Sequence, residues 1–279
     1  MSMFSYTRRT LVREVLLILL AAIWWLPFYI LGVNSFGPAG GIGGTGLVLP
    51  ENPGFDSYEQ AWEGNGNGTL GGALLNSAVI AVGSVALLVA IGSVAAYVLA
   101  RRGGRLSGAL YGLFVLGIIL PYQLGVVPLY AAFRSFGLVG NYAGMILLYT
   151  GILLPFSVFL YAGFIRALPR DYEEAASVDG ASPARTFMRI VFPLLRPITA
   201  TVAILTGLIV WNDFFTQLVF VGGSRFETLP VAVYSAVGAY ATQWSVVFAA
   251  VVIAVIPVLV VYFFAQQHLI RGFTGGTKG

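Results

Sequence analysis

Cysteine is absent from this 279-residue chain, and histidine occurs once, at position 268. Without thiols there are no disulfides, thiolate zinc sites or iron–sulfur ligands. A single imidazole supports neither a histidine-based metal site nor a histidine-dependent triad. Charge is nearly as scarce. Asp, Glu, Lys and Arg make 9% of the residues, against about 25% in a soluble domain. A water-soluble enzyme of this length would have too few charges to cover its surface, so that class is excluded. Nucleic acid is excluded as a partner too. In so apolar a chain the formal net charge of +4 reflects orientation in a membrane.

Apolar residues fill the space, at 58% of the chain with 14% aromatic residues and 35 glycines; the mean hydropathy is +0.87. A membrane-crossing helix needs about 20 mostly apolar residues. Six such stretches are legible, near 15–33, 73–100, 106–132, 142–165, 198–221 and 246–266. The first has arginines before it, as a signal peptide does. Its apolar part is longer than a signal core and no convincing cleavage site follows, which predicts an uncleaved span.

Basic residues fall on one side of this pattern. Arg8, Arg9 and Arg13 precede the first span, and Arg101, Arg102 and Arg105 lie between the second and third. Arg166, Arg170, Arg185, Arg189 and Arg196 lie between the fourth and fifth, with Arg271 and Lys278 after the sixth. The other side holds only Arg134 and Arg225, with Glu51, Asp56, Glu59, Glu63 and Glu227. The positive-inside rule therefore places both termini in the cytoplasm of a cell (inner or plasma) membrane. The expected fold is an all-α polytopic membrane protein with six transmembrane helices. Its expected divisions are 1–72 (N-terminus, first span and outer loop), 73–267 (transmembrane core) and 268–279 (cytoplasmic Gly-rich tail).

The outer loop contains Gly41-Ile42-Gly43-Gly44-Thr45-Gly46, a match to G-x-G-x-x-G. It follows no strand and opens no helix, so it lacks the context of a dinucleotide site. Asn67-Gly68-Thr69 fits a glycosylation sequon of the length that chance supplies. Trp24, Trp25 and Trp244 read as interface anchors. Pro121 and Pro155 are candidate kinks, and Tyr122 and Gln123 beside the first are candidate path or gate residues, although helix packing explains them equally well.

Acidic residues return in the cytoplasmic segment 168–183, where the local chemistry spells helix, turn and helix. Asp171 and Glu174 have capping-box spacing, and Glu173 and Glu174 suit the first turn of a helix. Gly180 supplies a left-handed stop. Ser182-Pro183 reads as an N-cap with proline at the first helical position. The small Ala175-Ala176 face lets a partner approach closely. An amphipathic helix resting on headgroups fits the same residues.

This segment resembles the EAA loop of ABC importer permeases, whose pattern is E-A-A, three residues, G, nine residues, then I-x-L-P. Here Glu174-Ala175-Ala176 is followed by Gly180 and then by Ile190-Val191-Phe192-Pro193, with Phe192 in place of leucine. The ending Gly272-Phe273-Thr274-Gly275-Gly276-Thr277-Lys278-Gly279 is similar, more loosely, to that of the sugar-class permeases. Leu74-Leu75-Asn76-Ser77, Trp211-Asn212-Asp213-Phe214 and Thr228-Leu229-Pro230 also match that class. By these motifs the chain is identified as a member of the carbohydrate (maltose/multiple-sugar) class of ABC importer permeases, in its six-span form.

The resemblance implies that the loop forms coupling helices seated in a cleft of an ATP-hydrolysing subunit. Docking would fall on Glu173, Glu174, Ala175, Ala176, Val178, Asp179, Gly180, Ala181 and Pro183, with Gly275, Gly276, Lys278 and Gly279 of the tail reaching the same partner. ATP and magnesium would be bound there, so no cofactor and no catalysis are expected in this chain, which has no phosphate-binding G-x-x-x-x-G-K-[ST] loop. The remaining implied partners are a second permease, an extracellular solute-binding protein, a sugar or oligosaccharide and the bilayer. Related polyol conjugates stay open.

Asp213 is the clearest acid within a span, and an intramembrane acid is a functional candidate by default. With Trp211 and Asn212 it suits sugar hydroxyls. Stabilising a broken helix or the interface with a second permease is the preferred reading. Among other classes, an ion-coupled secondary transporter needs midplane ionisable groups beyond Asp213. An intramembrane enzyme needs a nucleophile–base pair or metal cluster that the composition withholds.

Overall fold

The computed structural model describes residues 8–38, 47, 50, 52–64 and 68–274. The Gly41–Gly46 pattern, Asn67 and the tail residues Gly275, Gly276, Lys278 and Gly279 lie outside the described residues.

Among the described residues the fold is helical throughout, without strands. The elements are α1 (Arg8–Ser35), α2 (Asp56–Glu63), α3 (Leu70–Arg101), α4 (Arg105–Ile119), α5 (Val126–Ser135), α6 (Tyr142–Ala167), α7 (Asp171–Val178), α8 (Pro183–Thr186), α9 (Phe192–Leu194), α10 (Arg196–Asn212), α11 (Phe215–Val221), α12 (Leu229–Ala239) and α13 (Trp244–Thr274). A 3-10 turn, Tyr122–Gly125, joins α4 to α5, and a π turn, Phe187–Val191, joins α8 to α9.

Three helices are long and apolar enough to cross a membrane as they stand: Thr10–Ser35 within α1, α3 and α6. Two bent pairs pass the same test when each is taken together. Arg105–Ile119 turns by 86° into Tyr122–Ser135, and Pro183–Leu194 turns by 73° into Arg196–Asn212. The structure thus offers three spans, or five if each bent pair is one, where six were expected. Trp244–Val260 of α13 is a further apolar stretch.

The bends have local causes. Pro121 bars Leu120 from the helical region, and Leu120 takes φ −73° and ψ 124°. Pro193 and Pro197 lack the N–H that an α-helical turn requires, and the chain before them widens into the π turn. Pro155 lies inside an unbroken α6, so the kink expected there is not a break. Trp24 and Trp25 are likewise not at a helix end. They sit mid-helix, well inside both the 15–33 run and α1, and are 71% and 70% exposed.

The described residues fall into two compact units, within 1–70 with 233–256 and within 71–232 with 257–279. In the first, the described part of the segment between α1 and α3 holds more structure than its Gly- and Asn-rich composition suggests. It contains α2, whose Ser57 hydroxyl donates to the Gly37 carbonyl at 2.6 Å. Phe36 packs edge-on against Phe55, and Gln60 donates to Gln243 at 3.1 Å. Tyr240 donates to the Gly64 carbonyl at 2.8 Å. Burial first, then the charge of Glu63, push its phenol above the ordinary tyrosine value, which keeps it a donor.

In the second unit α6 is the central element. Asn141 caps it by accepting from the Gly144 N–H at 2.8 Å. One core cluster contains Ile80, Leu88, Tyr149, Leu153, Val210 and Phe220; the other contains Ala96, Tyr161, Ile165, Phe187, Val191 and Leu195. α3 approaches α6 so closely at Gly92 that a Cβ there would overlap the Ser157 hydroxyl. That hydroxyl donates to the Leu88 carbonyl at 3.2 Å.

Candidate functional site

Two constellations in the second unit carry the chemistry that the sequence singled out. The first is the helix–turn–helix of α7 and α8. Arg170 already has helical angles (φ −77°, ψ −16°) and its carbonyl accepts from the N–H groups of Glu173 and Glu174. Helix entry therefore comes one residue before Asp171, and the expected Asp171–Glu174 capping box does not form. Asp171, Glu173 and Glu174 instead occupy the first turn, where the helix dipole favours negative charge.

The turn behaves as its residues require. Gly180 has φ +75°, its N–H reaches the Ser177 carbonyl at 3.0 Å, and the Ala181 N–H reaches the Ala176 carbonyl at 2.9 Å. Those two bonds define a Schellman stop. Ser182 then accepts from the Arg185 N–H at 3.4 Å, with Pro183 at the start of α8.

Helical spacing divides α7 into two faces. Ala176 is 5% exposed where α7 packs on α8 and the π turn, so the pair of alanines does not form one open face as expected; only Ala175 is exposed. Glu174, Val178, Asp179, Gly180 and Pro183 are also exposed, and Ala181 is half-buried. Val178 stands out at 88% exposure.

Glu173 points the other way. Its Oε1 meets Nε of Arg101 at 2.7 Å in an ion pair whose side chains are only 12% and 17% exposed. Its Oε2 accepts from the Tyr97 hydroxyl at 3.0 Å. Arg101 Nη2 also donates to the Leu168 carbonyl, the end of α6, at 3.1 Å. A polar cleft of about 240 Å³ opens beside them, lined by Arg101, Arg170, Glu173, Glu174 and Ser177.

The second constellation lies where helices break. Asp213 ends α10 in an extended conformation (φ −70°, ψ 120°), and its Oδ1 accepts from the Thr216 N–H at 3.2 Å. It closes one helix and caps the next. Its Oδ2 accepts from Tyr149 at 3.0 Å and from Tyr122 at 3.4 Å. Tyr122 stands in the 3-10 turn after Pro121, so one carboxylate joins the two breaks.

Gln217, absent from the sequence-level candidates, completes this hinge. Its side-chain amide donates to the Val210 carbonyl at 2.7 Å, and its oxygen accepts from the Thr228 hydroxyl. A glutamine in an apolar run was the available signal. The other motif residues meet nearby. Asn76 donates to the Glu227 carbonyl at 2.8 Å and accepts from Tyr142 at 2.5 Å, while Ser77 accepts from the Leu229 N–H at 2.8 Å. Leu74–Ser77 and Thr228–Pro230, far apart in sequence, form one clasp.

The remaining path candidates do not join Asp213. Asn212 donates back to the Leu208 carbonyl at 2.8 Å, and Gln123 is exposed. Trp211 borders a groove of about 500 Å³ lined by residues such as Ala78, Val82, Gly207 and Pro257. Its lining offers no polar side-chain atom beyond the Trp211 indole.

Residues 88–275 match the family model described as "Binding-protein-dependent transport system inner membrane component". The chain is 35% identical to the melibiose/raffinose/stachyose import permease protein MelC of Bacillus subtilis, with 97% of each chain covered. It is 34% identical to the diacetylchitobiose uptake system permease protein NgcG of Streptomyces coelicolor, over 98% of this chain and 90% of the relative. A crystal structure of a bacterial ABC transporter involved in import of the acidic polysaccharide alginate contains a chain of the same fold. Its TM-score is 0.80 at 22% identity, with 95% of this chain and 99% of that one covered.

Proposed function

Because this chain belongs to the family of binding-protein-dependent transport system inner membrane components, we propose that it is the permease subunit of an ATP-driven importer of a sugar or oligosaccharide. The sugar class is supported by full-length relatives that are import or uptake permeases for oligosaccharides. In this reading α1, α3, the bent α4–α5, α6, the broken α10–α11 and α13 make six spans. The face carrying α7 and α8, with both termini, is cytoplasmic, as the arginine distribution supports. A second permease completes the path, and an extracellular binding protein delivers the solute.

The observation that carries the mechanism is the two-faced α7. Glu174, Ala175, Val178 and Asp179 are exposed on a helix whose opposite face is packed down, and the Gly180 turn presents Ala181 and Pro183 beside them. This is a rigid knob for an ATPase subunit that binds ATP and magnesium itself. At the other constellation, Asp213 acts as the pin of a hinge. Both its oxygens are satisfied by protein donors, which favours a structural role over direct sugar contact. It also leaves the ion-coupled alternative without a free midplane carboxylate.

The test is gentle detergent extraction from native membranes through a tag on the outer loop, with co-purifying proteins identified by mass spectrometry. The reading predicts an ATPase, a second permease and a binding protein. Elution of the chain alone, or only with itself, would overturn it.

A further inference from the structure

We propose that Arg101 and Tyr97 are positioning residues that latch the coupling helix to α3, and that Glu173 is the latch's acceptor rather than part of the docking face. The proposal rests on the docking role given to α7 above. A helix of eight residues is marginal on its own and depends on tertiary packing, so its direction is set by what grips it. Tyr97 and Arg101 are four residues apart on the last turn of α3 and share one face. Between them they occupy both oxygens of Glu173.

The same two side chains reach further. Arg101 holds the end of α6 through the Leu168 carbonyl at 3.1 Å. Tyr97 packs on Phe187 of the π turn with ring centroids 5.1 Å apart. One turn of α3 therefore grips α7, the arm after the Gly180 turn, and the end of α6. Force applied to the exposed face of α7 passes into α3 as a rigid body, because the Glu173 grip cannot slip without releasing a part-buried charge. Glu174, exposed on the other face, makes no such ion pair among the described residues. The two adjacent glutamates have divided their work by the faces they occupy.

Spin labels read this directly, since the chain has no cysteine of its own. One label goes on α7 at Tyr172→Cys and one on α3 at Val94→Cys, both exposed positions. Distances are measured by pulsed electron resonance in the complex purified through the tagged chain, nucleotide-free and trapped with ATP and vanadate. The latch predicts one narrow α7–α3 distance in both states. Glu173→Gln and Arg101→Met should keep the ATPase bound but split or broaden that distance on trapping, and Arg101→Lys should restore much of the narrow distribution. An unchanged distribution in Glu173→Gln and Arg101→Met overturns the latch. So does loss of the ATPase from Glu173→Gln with the α7–α3 distance intact, which would make Glu173 a docking contact. If the unsubstituted chain carries no ATPase, the proposed function fails. The latch is then judged by the same label pair in the detergent-purified chain, where Arg101→Met must broaden the distance.

Discussion

Arg101 and Glu173, 72 residues apart in sequence, meet at 2.7 Å in a part-buried ion pair that fastens α7 to the last turn of α3. Ion pairs this enclosed are held by geometry as well as charge: both carboxylate oxygens are occupied and the guanidinium spends a further donor on a backbone carbonyl. The pair turns one glutamate inward and leaves the next one exposed, which is how an eight-residue helix acquires a fixed outer face.

The Gly180 turn should obey backbone conformation alone. A Cβ at Gly180 meets nothing within 4 Å, so substitutions are penalised only by the left-handed φ, at about 1–2 kcal/mol for an ordinary L-residue. Gly180→Asn should be tolerated best, Gly180→Ala less and Gly180→Val least. The order is read from thermal unfolding of the detergent-purified chain, where no partner can clash with the added side chain. Equal behaviour of Asn and Val variants would contradict the turn argument.

Asp213 pins two breaks, so removing its acceptors should loosen both. Asp213→Leu takes the acceptor from the buried Thr216 N–H and the buried Tyr149 hydroxyl, each buried orphan costing about 1–3 kcal/mol, while the Tyr122 hydroxyl keeps the Thr216 hydroxyl at 3.1 Å. Asp213→Asn retains an acceptor and should lose less. Thermal unfolding followed by size-exclusion chromatography should rank wild type above Asn above Leu. A Leu variant as stable as wild type would remove the hinge from the account.

Gln217 bridges the same break from the other side. Gln217→Leu leaves the Val210 carbonyl and the Thr228 hydroxyl without partners and should destabilise by about 1–3 kcal/mol. Combining it with Thr228→Val removes one orphan, so the double variant should be less destabilised than the sum of the singles. Simple additivity would show that the two side chains act independently.

The close approach of α3 to α6 depends on Gly92. Gly92→Ala forces a methyl into Ser157, and overpacking of this kind costs about 1–3 kcal/mol. Ser157→Ala removes the hydroxyl that is struck, although it also loses the bond to Leu88. The pair should therefore show strong positive coupling in a thermal double-mutant cycle, and its absence would mean that the helices can separate freely.

Much of this was legible in the chain. Span 142–165 matches α6 almost to the residue, because apolar composition is continuous there. Gly180 and Ser182-Pro183 behaved as their chemistry demands, since caps and left-handed stops are decided within a few residues. What could not be read was long-range. Arg101 looked like one more topology-setting arginine, because its partner lies across two helices. Ala176 looked like half of an open face, because burial depends on where α8 folds back. The break at Asp213 carried a signal in its lone acid, but Tyr149, 64 residues away, became its neighbour only through packing. The helix α2 was hidden in a segment whose flanks are rich in glycine and asparagine.

Under the proposed function, the outer face of α7 is where an ATPase subunit docks. A photoreactive amino acid placed at Val178, 88% exposed, and separately at Leu208 beside the apolar groove, tests it in native membranes. The expected result is a crosslink from position 178 to an ATPase subunit and none from position 208. Crosslinks from 178 to lipid alone would contradict it and return α7 to the role of a helix lying on the membrane surface.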